Sequence, residues 1–162
     1  MFKWRAEDFN ALVESCSRDE ATPYILKYMP KTGKIVEAGC GLARFVVCLS
    51  EMGYDIEGIE ISQETVDTIK RIRPDLNVKQ RDITTLPYLD NSVSGIISLG
   101  VVEHFIDGPE LALKEMRRAL KPACYVVITV PSLNYIRKLK YKSGYYLFKR
   151  KIETGRFNKK SV

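Results

Sequence analysis

The chain has 162 residues, 45% of them hydrophobic and 28% charged. That is one domain by length, large enough to bury a core without disulfide or metal staples, and its ordinary hydrophobic content excludes a disordered chain. No apolar run approaches the roughly 20 residues of a bilayer helix. The N-terminal stretch MFKWRAEDFNALVES breaks its apolar residues with charges, unlike a secretory signal, so the expectation is a soluble cytoplasmic domain.

In chain order, residues 6–16 carry Phe9, Leu12, Val13 and Cys16 at helical spacing, and a second helical stretch covers 20–29. Lys34–Ala38 is a short β-leaning run that ends at Gly39, and residues 43–52 read as a helix stopped by Gly53. Tyr54–Ile61 reads as a strand. Ser62 with Glu64 opens a helix that runs to Ile72, before Pro74. Leu76–Gln80 and Val93–Leu99 are strands three and four. A helix spans Pro109–Leu120, and Cys124–Val130 is a fifth strand stopped by Pro131. Strands alternating with helices predict an α/β fold, a doubly wound, mostly parallel sheet covered on both faces, and the apolar runs IISLGVV and YVVITV suit strands buried on both sides.

The formal charge of +6 is unevenly placed. Residues 1–136 hold 16 Lys and Arg against 19 Asp and Glu, whereas residues 137–162 hold 10 against Glu153 alone. The basicity belongs to the tail and says little about the domain body. Cys16, Cys40, Cys48 and Cys124 include no CxxC pair, which argues against a structural zinc site and for free thiols in a reducing compartment.

The turn after the first strand reads Val36-Glu37-Ala38-Gly39-Cys40-Gly41-Leu42-Ala43-Arg44. A dinucleotide fingerprint, GxGxxG, needs a small residue where Arg44 stands, and the GxxxxGK[ST] phosphate loop is absent. A lone GxG is a weak signal, so its surroundings decide. Glu37 precedes the turn, Glu60 ends strand two 21 residues after Gly39, and Asp82 follows strand three. Acids at the carboxyl ends of adjacent strands suit ribose hydroxyls and an exocyclic amine, and repel a pyrophosphate. The ligand they describe is adenosine with a charged amino-acid arm.

At these residues the chain resembles the class I S-adenosylmethionine-dependent methyltransferases, in their small-molecule branch. VEAGCGLARF resembles the acid-x-Gly-x-Gly-x-Gly motif, with Ala43 at the third glycine. GIEIS resembles the acidic second motif, QRDITTLPYLDNSVSGIIS the third-strand Asp region, LGVVEHF the segment after strand four, and LKPACYVVITVPS the fifth strand. The match covers about residues 33–134. It implies a Rossmann-like methyltransferase fold with strand order 3-2-1-4-5, and S-adenosylmethionine as cofactor with S-adenosylhomocysteine as product. It also implies an S-adenosylmethionine-binding core at 33–134 between an N-terminal helical cap (1–32) and a basic aromatic tail (135–162). By position, Gly39, Cys40 and Gly41 would lie along the methionine arm and Glu37 would orient its charged groups. Glu60 would hold the ribose and Ile61 pack on the adenine, while Asp82 would receive the adenine amine and Ile83 contact the base. Leu99 and Gly100 would also follow the methionine arm.

Methyl transfer from a sulfonium needs mainly proximity and orientation. His104 is the candidate base where a small-molecule methyl acceptor would sit, with Glu103 beside it, although a structural or pocket-lining role is the favoured reading of that imidazole. Cys40 near a helix N-terminus invites a nucleophile reading, but no histidine follows it closely. Trp4, Arg5 and Phe9 fall where a lid commonly lies, while a packed helix with Phe9, Leu12 and Val13 facing the core is as good a reading. The family's closing pair of strands finds no counterpart after Pro131, so strand five is expected to be an exposed edge prone to self-association. The tail's interleaved Lys, Arg and Tyr open contact with nucleic acid or an anionic membrane. Two other readings stand beside the methyltransferase: a catalytically inactive, truncated binding module acting through its tail, and an NAD-dependent oxidoreductase, which Arg44 disfavours.

Overall fold

The computed structural model describes residues 9–131. Helix α1 (Phe9–Ser15) runs into a 3-10 turn (Cys16–Arg18), and α2 (Thr22–Tyr28), β1 (Ile35–Ala38) and α3 (Arg44–Glu51) follow. Then come β2 (Ile56–Glu60), α4 (Gln63–Ile72), β3 (Val78–Gln80) and β4 (Val93–Leu99). A second 3-10 turn (Val102–His104), α5 (Glu110–Ala119) and β5 (Leu120–Thr129) complete the described residues. The strands form one sheet in the order β3-β2-β1-β4-β5, and every pairing is parallel. This is the doubly wound α/β fold that the alternation of elements predicts, in the strand order that the family resemblance implies.

Because strand side chains alternate between faces, β1 feeds two cores. Ile35 packs with Phe45, Val46 and Leu49 of α3 and Ile69 of α4, and Phe9, Ile25 and Met29 join that cluster from the N-terminal helices. Val36 and Ala38 pack with Ile96 of β4 and with Ala112 and Met116 of α5. Each fully buried Ile, Leu, Phe or Met removes its apolar surface from water, worth roughly 1.5–3 kcal/mol. The reversal of strand order between β1 and β4 opens a crevice at the carboxyl edge of the sheet, and the turn after β1 lies there.

Several boundaries differ from the sequence expectation. Strand three starts at Val78 rather than Leu76, because the Leu76 amide donates to Arg73 O at 3.3 Å and its carbonyl serves the turn; its buried side chain fills the core from there. Strand two starts at Ile56, since the Tyr54 amide donates to Leu49 O (3.0 Å) and closes α3. The last helix ends at Ala119, and β5 begins at Leu120 opposite Val93. The ladder then shifts register, with Tyr125 opposite Gly95 and Ala123 left-handed (φ 61), so Pro122 sits in an irregular stretch that needs no ladder N–H. Among the described residues β5 pairs with β4 alone, and Tyr125 and Ile128 are exposed. Trp4, Arg5 and the basic aromatic tail lie outside the described residues. No described helix is long and apolar enough to cross a membrane.

The long β3–β4 loop is held by side chains. Arg118 of α5 donates to the carbonyls of Leu86 (3.0 Å) and Tyr88 (2.7 Å) while pairing with Asp90 and Glu115. Glu115 accepts the Leu86 amide at 2.9 Å. The Tyr88 hydroxyl donates to the buried Glu57 at 2.6 Å, beside Lys79 at 2.8 Å. Burial pushes the Glu57 carboxyl up, but the hydrogen bonds from Lys79 and Tyr88 outweigh it and hold the group below its usual range.

Gly58 in β2 lets α3 approach the sheet. A Cβ there would lie 2.8 Å from Val46 Cγ2 and 2.9 Å from Cys40 Sγ. Gly58→Ala is expected to destabilise the domain by about 1–3 kcal/mol through overpacking, read as a lower midpoint in urea unfolding at unchanged slope.

Candidate functional site

The site begins with the turn after β1. The amides of Gly39 and Cys40 both donate to Ile59 O at 2.9 Å, which clamps the turn to the end of β2. Gly39 has φ +81°, and a Cβ on it would lie 2.6 Å from Val101 Cγ2, so both conformation and space require glycine. Ala43 closes the turn in the left-handed region (φ 60°, ψ 32°) and is fully buried. Its methyl fits where the motif has glycine, at a conformational cost of about 1–2 kcal/mol.

A cavity of about 660 Å³ opens at this edge. The glycine turn contributes Gly39 and Gly41 to its lining, the end of β2 contributes Glu60 and Ile61, and the segment after β3 contributes Asp82 and Ile83. Leu99, Gly100 and His104 line it from the segment after β4. These nine positions, scattered over 66 residues of sequence from Gly39 to His104, meet around one space.

The carboxylate of Glu60 is fixed from both sides. Oε2 accepts the Gly41 amide and Oε1 the Ser62 amide, each at 3.0 Å. Each oxygen keeps a second lone pair, so the fixed carboxylate can accept two hydroxyl donors, as a vicinal diol presents them. Asp82 Oδ1 accepts the amide and the hydroxyl of Thr84, both at 2.8 Å, in an Asx turn. Oδ2 has no hydrogen bond among the described residues and is free for an N–H donor. Ile61, 56% exposed, offers an apolar face to the cavity, and Ile83, largely buried, lines it too.

Glu37 and Cys40, expected along the ligand, do not line the cavity. Strand alternation puts Glu37 on the α3 face with Ile35, where its Oε2 accepts the Val46 amide (3.2 Å) in the first turn of α3. Burial raises its carboxyl to about 8, against the pull of the Val46 N–H and of Arg44. Cys40 is buried against β2. Burial, then the carboxylates of Glu37 and Glu60, push its thiol well above the usual range, which removes the thiolate a nucleophile needs. Arg44 also turns away: its guanidinium donates to Ser15 Oγ (3.1 Å) and pairs with Asp19, joining α3 to the N-terminal segment.

Four lining residues escaped the sequence reading: Ser62, Thr65, Val101 and Phe105. Ser62 caps α4 through Thr65 N (3.2 Å), so its reading as a helix start already implied that this helix opens at the crevice. Val101 and Phe105 flank the His104 turn, and only the close approach of Val101 to Gly39 marks the former.

A family model for a methyltransferase domain matches residues 36–128. The chain belongs to the class I S-adenosylmethionine-dependent methyltransferases. It is 32% identical over 126 residues to an uncharacterized methyltransferase of Schizosaccharomyces pombe, covering 70% of this chain and 43% of that protein. It is 34% identical over 127 residues to an indolepyruvate C-methyltransferase of Streptomyces griseus, covering 70% of this chain and 38% of that one. The chain thus spans about two fifths of the length of these relatives. Among solved structures, a methyltransferase from Methanosarcina mazei shares the fold with a TM-score of 0.65 at 24% identity, over 74% of this chain and 62% of that one. The acceptor set of this cavity suits S-adenosylmethionine: the fixed Glu60 carboxylate for a diol, the Asp82 oxygen for an amine, and an apolar shelf at Ile61.

The Glu37 carboxyl predicts a pH dependence. Unfolded, it ionises near 4.5; folded, near 8. Between those values the folded state holds a proton that the unfolded state has lost, so stability falls as pH rises through that window and levels off above it. The slope approaches about 1.4 kcal/mol per pH unit. Glu37→Gln keeps an acceptor for Val46 N and cannot ionise. Urea unfolding at about pH 5.5 and about pH 8 is expected to show a smaller loss across the window for the variant than for the wild type.

Proposed function

We propose that this domain binds S-adenosylmethionine in the cavity at the carboxyl edge of the sheet and transfers its methyl group to a small molecule. The observation that carries the reading is the Glu60 carboxylate, fixed by two backbone amides with lone pairs left for a diol, facing the same cavity as the free Asp82 oxygen. When bound, the cofactor supplies an electrophilic methyl on a sulfonium, whose bonding pair stays with sulfur as S-adenosylhomocysteine forms. The protein's own work is placement. Glu60 holds the ribose hydroxyls, Ile61 and Ile83 pack on the base, Asp82 accepts the base amine, and the bare backbone of Gly39, Gly41 and Gly100 admits the amino-acid arm. His104, exposed and lining the same cavity, follows β4, which the sheet order separates from β3 and Asp82 by β2 and β1, and it takes the role of a base or a wall toward the acceptor. The Streptomyces griseus relative, named for a small-molecule acceptor, supports an acceptor of that size.

The test is calorimetric titration with S-adenosylmethionine and S-adenosylhomocysteine. Micromolar binding is expected for the wild type, weakened at least tenfold in Glu60→Ala, about 1.4 kcal/mol. A folded sample that gives no heat with either ligand overturns the proposal and leaves the binding-module reading.

A further inference from the structure

The walls of the cavity carry charge of one sign. Among the described residues its charged lining is Glu60 and Asp82, with no Lys or Arg. The segment that follows β4, from Leu99 to Leu113, contains Glu103, Asp107 and Glu110 and no Lys or Arg at all. Two arginines lie close in sequence to the lining and both are turned elsewhere: Arg44 to Ser15 and Asp19, Arg81 to the carbonyl of Gln80 at 2.8 Å.

Glu103 stands at the edge of this space. Its Oε1 lies 3.5 Å from where a Cβ on Gly100 would sit, and Gly100 is part of the lining. The carboxylate has no hydrogen bond or ion pair among the described residues. His104 and Phe105, next in the chain, both line the cavity. One short turn therefore presents a carboxylate, an imidazole and an aromatic ring to the side of the cavity away from the Asp82 wall.

We infer that the methyl acceptor is a small amine that arrives as an ammonium, with Glu103 as its anchor; this rests on the methyl-donor reading above. The electrostatics favour that class over its rivals. A carboxylate or phosphate acceptor would enter a space walled by Glu60 and Asp82 with Glu103 at its edge and no Lys or Arg among the described lining residues, and like charges at close range disfavour binding. A sulfonium donor repels an ammonium, and the surrounding carboxylates offset that repulsion. Phe105 adds a ring face that attracts cations. The bound ammonium then gives one proton to the His104 imidazole: the N–H pair stays on the amine nitrogen as its lone pair, and the imidazole becomes imidazolium.

The test uses three probes that share one ring and differ in charge: tryptamine, tryptophol and indole-3-propionate, each titrated calorimetrically into the chain saturated with S-adenosylhomocysteine. The expected result is tryptamine binding at least tenfold tighter than indole-3-propionate and measurably tighter than tryptophol. Glu103→Gln, a change at an exposed residue, is expected to weaken tryptamine at least fivefold and leave tryptophol unchanged. Tighter binding of indole-3-propionate, no binding of tryptamine, or tryptamine binding indifferent to Glu103→Gln overturns the inference and leaves the methyl-donor reading standing. Failure of S-adenosylhomocysteine itself to bind overturns both.

Discussion

One carbonyl oxygen holds the site together. Ile59 O, at the end of β2, accepts the amides of Gly39 and Cys40 at once, and this double acceptance welds the turn after β1 to the neighbouring strand. The next residue of that turn, Gly41, gives its amide to the carboxylate of Glu60, one residue past Ile59. Backbone and side chain of a single strand end thus fix three successive amides of the turn. The close approach of Val101 to Gly39 brings the segment after β4 against the same turn, so the walls contributed by β1, β2 and β4 are set by contacts only a few residues apart.

Two glutamates flank this turn, and their positions along the strands divide their work. Glu37 sits inside β1, so alternation sends it into the α3 core, where it accepts from the first turn of the helix and burial favours its neutral form. Glu60 sits at the very end of β2, where the strand meets the crevice and amide donors rather than apolar side chains surround it. Arg44 sits where a positive side chain opposes the helix dipole of α3. Its pairing with Asp19 answers that charge and ties the N-terminal helices to the helix that follows the glycine turn.

The parts of the site legible in the sequence are those set by chain order. Acids and glycines at the carboxyl ends of successive strands must meet once the strands form a parallel sheet, so Gly39, Gly41, Glu60, Asp82 and Gly100 converge by topology alone. What depended on facing was hidden. All four residues of β1 are buried, so their pattern gives no sign that Glu37 shares the α3 face with Ile35. Register was hidden too: Leu76 is apolar and buried yet belongs to a turn, and Leu120 extends β5 past the helix because it finds Val93 opposite it. The Arg44 partners lie 25 and 29 residues away, and their approach follows from the packing of α1 on α3, which no local pattern encodes.

The base side of the cavity is the least regular wall and is held by a different means. Asp82 and Ile83 open the loop that joins β3 to β4, which forms no ladder of its own. Such a loop gains order only where side chains satisfy its backbone, because each residue fixed costs about 1–2 kcal/mol of conformational entropy. Here the fixing groups come from α5: Arg118 takes the carbonyls of Leu86 and Tyr88, and Glu115 takes the Leu86 amide. Tyr88 then anchors the loop to Glu57 of β2, the strand that ends in Glu60. The two acids that face the cavity are therefore joined through a path of hydrogen bonds, Glu115–Arg118 to the loop and Tyr88–Glu57 to the strand. The spacing of the two acids rests on α5 and β2 together, although no residue of α5 lines the cavity.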